Sequence, residues 1–355
     1  SLEDPARPGW KATMQDAAHV PMKSVGPVRL AGPEVEAEVR VPLATYESPL
    51  WPSVARGAKV TAAAGGIRAV VLDERMARSV LLEAPDAAGA AEAAARLAAR
   101  RDAIAAAAQH GSRFAKFLGV HTQVCGSLLF VRVEISTGDA AGHNMVTRAA
   151  QQVLDWMTAE FPALRPVSVS GNYCTDKKVS AVNGILGRGR SVVADVTVAG
   201  DLCRKLLRAE PAAIADLNVK KNLVGSILAG GVRSANAHYA NMLLAFYLAT
   251  GQDAANIVEG SQGVTTAEAR GDALYFAVSL PNLVVGTVGA GKDLAFVQDN
   301  LRALGCLEPR APGANGRRLA VIAAATVLCG ELSLLAALAN PGELVRVHER
   351  MERGR

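Results

Sequence analysis

Apolar positions along this chain recur with two periods, and the changes of period mark out its elements. Near the N-terminus, "GPVRLAGP" and "AEVRVPLA" read as two strands in a loop-rich arm over residues 1–45. "IRAVVLDE" is a third strand. "DAAGAAEAAARLAARRDAIAAAAQ" is a helix on alanine content alone. "TQVCGSLLFVRVEIST" holds one long strand or a hairpin. In "NMVTRAAQQVLDWMTAEF" the residues Val146, Ala149, Ala150, Val153 and Trp156 or Met157 share one helix face. "PVSVSGNY" returns to strand. The resulting order, β-α-β-β-α-β, is that of a ferredoxin-like split unit. From about residue 170 to 340 the texture changes. Glycine turns such as "GILGRGRS" and "LAGGVRS" alternate with helices rich in alanine and leucine, and no repeat of fixed period is present. "NAHYANMLLAFYLATGQDAAN" is the clearest of these helices, with Gly251 as its stop. "ELVRVHERMERGR" closes the chain as a basic helix or a flexible tail.

The length, 355 residues, gives a large core and two domains. Half of the residues are hydrophobic but only 4% are aromatic, so closely packed helices with small contact residues are expected. The formal net charge of +5 is spread along the chain, too dilute for a nucleic-acid tract. It suits an anionic small molecule such as a nucleotide or a CoA thioester. Cys125, Cys174, Cys203, Cys306 and Cys329 are odd in number and none has CxxC spacing, so neither a zinc knuckle nor a disulfide framework is indicated. A reducing compartment follows, and the opening "SLEDPARPGWKATMQDAAHVPMK" lacks the apolar core of a secretory signal. "LAVIAAATVLCGELSLLAALA" (319–339) has the length of a membrane span, but Glu331 near its middle argues for a helix buried in a core or a subunit interface.

Three stretches invite a chemical reading. "GTVGAGK" (286–292) fits the first seven positions of a P-loop. Asp293 stands where that motif needs a hydroxyl for magnesium, and too little chain follows for a nucleotide-binding sheet, so a glycine turn is the better reading. "GILGRG" is spaced wrongly for a dinucleotide fingerprint. HExxH, GxSxG and metal-ligand clusters are missing, and no metal is expected. "GNYCTDKKVSAV" puts Asp176, Lys177 and Lys178 together, by default a solvated charged turn. Glu47 in "ATYESPLWPSVARGAK" reads alone as a loop glutamate, and His348 as a surface histidine. Asp253 in "GQDAAN" falls at a helix C-terminus, where the dipole disfavours a carboxylate.

Taken in order, "ATYES", "STGDAAGHNM", "NYCTDKKVSAVNGILGRGRSVV", "KKNLVGSILAGG", "NAHYANMLLAFYLATGQDAANIVEGSQ", "VVGTVGAG" and "GELSLLAALA" resemble the catalytic portion of the hydroxymethylglutaryl-CoA (HMG-CoA) reductases. The resemblance covers nearly the whole chain and is nearer the class with biosynthetic members than the second bacterial class. It implies reduction of HMG-CoA to mevalonate and CoA by two NADPH, through a hemithioacetal and an aldehyde. Such chemistry needs a cation on the carbonyl oxygen and acids for the alcohol oxygen and the departing thiolate. By match to the family motifs, Lys177 is the oxyanion cation and points inward. Glu47 is a proton donor raised in pKa by burial, Asp253 lies between the two, and His348 on a mobile tail protonates the CoA thiolate. Arg68 in "GGIRAVV" resembles the arginine that grips the free carboxylate of the substrate. Ser170, Asp176, Lys178, Lys221 and Asn241 resemble its other substrate contacts, and Ser53, Arg56 and Lys59 resemble CoA-facing residues. Asp139, Gly142 and Asn144, with Ser112, Arg113 and Phe114 and, near the terminus, Arg353, resemble the cofactor positions. These favour NADPH, with NADH as the other possibility.

The chain departs from the family pattern in places. "MKSVGPVRLAGP" replaces a glutamate-containing element, Ala141 and His143 stand where methionines are frequent, and Glu352 sits near the phosphate site. Tyr46, Pro49 and Trp51 give an unusual turn after Glu47. The expected architecture is α+β: a large helical substrate and dimerisation domain (1–69 and 169–340), an inserted ferredoxin-like cofactor domain (70–168), and a C-terminal flap (341–355). An obligate homodimer with shared sites, possibly a tetramer, is expected, in the cytoplasm and with no nucleic-acid or membrane partner. Two other readings compete: oxidation of mevalonate with NAD, and a non-catalytic CoA-thioester-binding protein. Cofactor preference separates the first. The presence of Glu47, Lys177, Asp253 and His348 argues against the second.

Overall fold

A computed structural model of the chain describes residues 18–340 and 342. Among them nine strands form one connected sheet. β1 (Met22–Pro33) and β2 (Glu36–Ala44) pair antiparallel, as their alternation requires: Val25 lies opposite Val41 and Val28 opposite Val39, all buried. β3 (Ile67–Glu83) is 17 residues long. β4 (Lys116–Cys125), β5 (Leu128–Ser136), β6 (Arg165–Ser168), β7 (Gly189–Ala199), β8 (Val264–Arg270) and β9 (Ala273–Leu283) complete the set. The main path runs β2-β1-β3-β7-β9-β8. β5 and β6 flank the later half of β3, and β4 pairs with β5 as a hairpin.

β3 therefore serves two cores. Its first half pairs with β1 and β7, whose apolar faces enter one buried cluster with Ile67 and Ala69. Its second half contributes Met76, Val80 and Leu82 to a second cluster, built with β5 and three helices. Seven helices frame the molecule for the present purpose: α1 (Leu50–Ala63), α2 (Ala87–Ala98), α3 (Arg101–Gln109), α4 (His143–Glu160), α5 (Tyr239–Ala249), α6 (Ala295–Ala303) and α7 (Ala314–Ala339). α2, α3 and α4 belong to the second core and α1, α5, α6 and α7 to the first. The part expected to be a large helical domain thus carries the six-strand path as well as helices.

The alanine run expected as one helix is two, parted at Ala99 and Arg100. Arg100 leaves helical geometry and donates to Glu160 of α4 at 2.6 Å, while Arg101 donates to the Leu118 carbonyl at 2.7 Å. Two tertiary contacts override alanine propensity there. Asp86 caps α2 by accepting from Gly89 N–H at 2.8 Å.

α7 is the helix that imitates a membrane span, and 94% of its most apolar stretch is buried inside the protein. It lies so close to α1 that a Cβ on Gly57 would stand 2.0 Å from the Cys329 carbonyl oxygen, so only glycine fits. Glu331, fully buried, accepts hydrogen bonds from Ala237 N–H (2.6 Å), His238 N–H (3.1 Å) and the Thr265 hydroxyl (2.9 Å). The carboxylate that interrupts the apolar run is therefore satisfied by donors from the segment leading into α5 and from β8.

Candidate active site

The loop after β6 is strained where the charged turn lies. Asn172, Thr175 and Lys177 all have left-handed backbones, with φ of 62°, 44° and 57°. Each such non-glycine residue costs roughly 1–3 kcal/mol, and strain of this kind gathers at functional sites. Asp176 faces inward on this loop. Its carboxylate lies 2.9 Å from the Arg188 guanidinium, which also meets Glu259 at 2.8 Å. Lys177 turns the other way and places Nζ 2.7 Å from Asp253 Oδ2, both side chains about two-fifths exposed (41% and 43%). The Asp253 hydrogen bond holds the Lys177 ammonium above its ordinary pKa against partial burial. Burial pushes the Asp253 carboxyl up, but Lys177 and the Ala255 N–H together bring it below its ordinary value.

Asp253 does not sit on the end of α5. Gly251, at φ 63°, turns the chain first, and Asp253 then caps the following turn by accepting from Ala255 N–H at 3.1 Å. The unfavourable dipole expected from the sequence becomes a favourable one. Lys178 is exposed and donates to its neighbour's carbonyl, Asp176 O, at 3.1 Å.

Glu47 and Asn241 form a second pair. Asn241 Nδ2 donates to Glu47 Oε2 at 2.8 Å, at the start of α5. Glu47 is exposed in this chain, so the burial expected of it is not found. Asp253 lies beyond the other end of α5, and roughly 12 Å of helix separates Asn241 from Ala249 at 1.5 Å per residue. Within one chain, therefore, Glu47 is not brought to the Lys177–Asp253 pair.

The arginine positions differ from expectation in a specific way. Arg68 is bound to Asp195 of β7 at 2.5 Å. Arg78 lies ten residues further along β3, about 33 Å at the rise of a strand. Arg78 reaches Ser170 Oγ at 3.4 Å and Asp176 Oδ2 at 3.5 Å, and its Nε is buried without a hydrogen-bond partner. Sequence reasoning missed Arg78. Its place in the strand's second half, beside β6 and the loop carrying Ser170, is the signal that register supplies and composition does not.

His143 opens α4 and joins the glycine-bearing loop to this cluster. Its Nε2 is 3.9 Å from Asp176 and lacks a hydrogen-bond partner. Burial, then the nearby Arg188 charge, lowers its pKa. Gly142 before it has φ 94°, and a Cβ there would fall 2.3 Å from the Thr137 side chain. α4 has no side-chain cap, and Asn144 in its first turn is exposed. Asp139 is already engaged: it accepts from Gly313 N–H (2.9 Å) and Gly316 N–H (2.8 Å) at the start of α7. Ser112 closes its own turn by accepting from Ala115 N–H at 3.0 Å. Arg113 stacks over the exposed Phe114 ring at 5.8 Å.

On α1, Ser53 and Arg56 meet Ser333 of α7, at 3.1 Å and 3.0 Å, and Lys59 is exposed. Lys221 is exposed on a π-helical stretch, Asn218–Gly225. His348 and Arg353 lie outside the described residues. Among those described, no group of three or more His, Cys, Asp or Glu is placed to hold a metal ion.

The chain as a whole has relatives among known proteins. Residues 14–353 match the family described as Hydroxymethylglutaryl-coenzyme A reductase. The chain is 41% identical to a 3-hydroxy-3-methylglutaryl-coenzyme A reductase of Aeropyrum pernix, over 95% of this chain and 80% of that one. It is 40% identical to the Pyrococcus horikoshii reductase, over 96% of this chain and 83% of that one. A solved class II reductase from Streptococcus pneumoniae, bound to NADPH, shares the fold with a TM-score of 0.74 at 21% identity, covering 92% of this chain and 77% of that one. The chain belongs to the hydroxymethylglutaryl-coenzyme A reductase family.

Proposed function

We propose that the open Lys177–Asp253 pair is the centre at which this chain, a reductase by family, reduces HMG-CoA to mevalonate with NADPH. The single observation that carries the reading is that ion pair, held at 2.7 Å and half-open on a strained loop beside the start of α4. NADPH supplies one hydride to the thioester carbon and a second to the aldehyde carbon. The thioester, two hydrides and two protons then give the alcohol and the CoA thiol. Lys177 Nζ meets the carbonyl oxygen as it gains charge in each step. Asp253 fixes that ammonium and keeps it protonated. Glu47, aimed by Asn241, supplies the proton to the alcohol oxygen, and His348 supplies the one to the thiolate.

Arg78, with Ser170 and Lys178, takes the free carboxylate of the substrate, and Lys221 adds a second cation. Arg68 is committed to Asp195 and has no part in this assignment. The α1 face bearing Ser53, Arg56 and Lys59 meets the CoA phosphates. The uncapped first turn of α4, with Gly142 and Asn144, takes the dinucleotide phosphates, where helix donors and dipole favour an anion. Asp139 supports that loop from behind. Arg113 and Phe114 meet the adenosine end, and the same role is assigned to Arg353, outside the described residues.

The strand order β6-β3-β5-β4, with helices between, supports a ferredoxin-like cofactor unit over 70–168 inserted in the substrate domain of 1–69 and 169–340. The separation of Glu47–Asn241 from Lys177–Asp253 along α5 supports a homodimer in which one subunit's first pair faces the other's second. Exposed Val219, Val224, Ile227, Leu228 and Val232 give an apolar stripe for that contact.

The test is direct. Purified protein with HMG-CoA is expected to oxidise two NADPH per mevalonate formed, faster than NADH. Oxidation of NADH alone moves the reading to the degradative direction. Binding of CoA thioester without oxidation of either cofactor overturns it.

A further inference from the structure

Lys292 ends the glycine run "GTVGAGK" and has no part in the chemistry above. It is only 7% exposed. Its Nζ donates to the Gly251 carbonyl, and among the described residues it makes no other hydrogen bond and no ion pair. An ammonium carries three donors and a strongly hydrated charge. Burying it against one carbonyl works against the fold, and a methionine of similar length would fill the space without that penalty.

The carbonyl it holds lies two residues before Asp253. Around it the two loops are tightly interlocked. Gln252 Nε2 donates to the Gly286 carbonyl at 3.1 Å, and Gln252 Oε1 accepts from Gly286 N–H at 2.9 Å. A Cβ on Gly251 would stand 2.6 Å from the Gly291 carbonyl oxygen, so the backbones pass with no room between them. Asp253 is the charge that acts on Lys292. Lys177 and His143 reach Asp253 from the other elements. The facing helix α6 offers neutral groups: Gln298 donates to the Lys292 carbonyl and Asn300 to the Ala249 carbonyl, while Asp299 is paired with Arg302. Asp293 is exposed.

We propose that Lys292 is a positioning residue for Asp253: its ammonium pins the turn that carries the carboxylate and so keeps it aimed at Lys177. The inference rests on the assignment of Asp253 to the reaction. Burial lowers the Lys292 ammonium to about 8, with Asp253 opposing, so the charge is present at neutral pH and lost in mildly alkaline solution.

The experiment compares wild type with Lys292→Met from pH 6 to 9.5, reading kcat, KM and melting temperature together. At pH 6.5 the variant is expected to lose about tenfold in kcat, with KM for HMG-CoA and NADPH within about twofold. It should melt higher than wild type, because the buried charge is gone. Above about pH 8 both differences should close as wild type loses the same charge. An unchanged kcat at pH 6.5 overturns the proposal. So does a constant deficit at every pH with a lower melting temperature, which marks packing alone. Lys292→Gln keeps the test open if the methionine variant does not fold. Lys177→Ala is measured in parallel. Turnover surviving there brings down the functional reading itself, whereas a wild-type-like Lys292→Met beside an inactive Lys177→Ala removes only this inference.

Discussion

Two charge clusters stand side by side on the loop after β6, and they are built in opposite ways. Asp176, Arg188 and Glu259 form the inner one. Arg188 and Glu259 are fully buried and paired with each other, and each also grips backbone: Arg188 donates to the Ala77 carbonyl, and Glu259 accepts from the Lys177 N–H. Lys177 and Asp253 form the outer one, with both side chains partly in water and Asp253 also held by the Ala255 N–H. Adjacent residues thus divide the work. The inner cluster fixes where the loop goes, and the outer one presents a cation that a substrate oxygen can reach. A half-exposed ion pair contributes little to stability. A buried one cannot lose a member without leaving a bare charge.

The largest expected effect lies in the outer cluster and falls on rate. Lys177→Ala should lower kcat by about a thousandfold, the loss typical of removing a group that stabilises a developing oxyanion. CoA-thioester affinity by calorimetry, and the melting temperature, should stay near wild type. Normal turnover in that variant ends the assignment. The mirror experiment falls on the inner cluster. Arg188→Met should destabilise the chain by about 3–5 kcal/mol, because Glu259 is left as a fully buried carboxylate without its cation. Urea denaturation measures it, and a loss below about 1 kcal/mol would erase the distinction between the clusters.

A fourth carboxylate calibrates the comparison. Glu331 is as buried as Glu259 but is met by N–H and O–H donors, with no arginine among its hydrogen-bond partners. Glu331→Gln keeps the shape and turns one acceptor into a donor facing donors. The expected cost is about 1–3 kcal/mol by the same denaturation, smaller than for Arg188→Met.

Much of this was legible in the sequence, and its limits have physical causes. Period and alanine content locate the strands and most helices, because both are local properties. The break between α2 and α3 is set by Arg100 reaching α4 and Arg101 reaching β4, contacts no local pattern carries. Motif order places Lys177 and Asp253 together, and the structure pairs them. It points to Arg68 and misses Arg78, ten residues along the same strand. Only the register of β3 against β7 and β6 shows that one is committed to Asp195 and the other faces Ser170. Glu47 shows the same limit. Its partner Asn241 and the distant Asp253 stand at opposite ends of α5, a separation that motif spacing alone does not reveal.

The smallest effect comes from the residue that touches the inner cluster without joining it. His143 Nε2 stands 3.9 Å from Asp176, too far for a hydrogen bond. Burial and Arg188 lower its pKa from 6.5, against the pull of Asp176 and Asp253. The folded chain therefore keeps the imidazole neutral at a pH where the unfolded chain has begun to protonate it. Over that window the unfolded state binds more protons, so the stability associated with His143 is complete above about pH 6.5 and is lost as pH falls through the lower folded value. His143→Met removes the group. The melting temperature of wild type should drop further than that of the variant between pH 7.5 and pH 5, with the two nearly equal at the upper end. If the variant is the more acid-sensitive of the two, Asp176 draws a protonated His143 into the inner cluster, and the division between a closed frame and an open pair no longer holds at that edge.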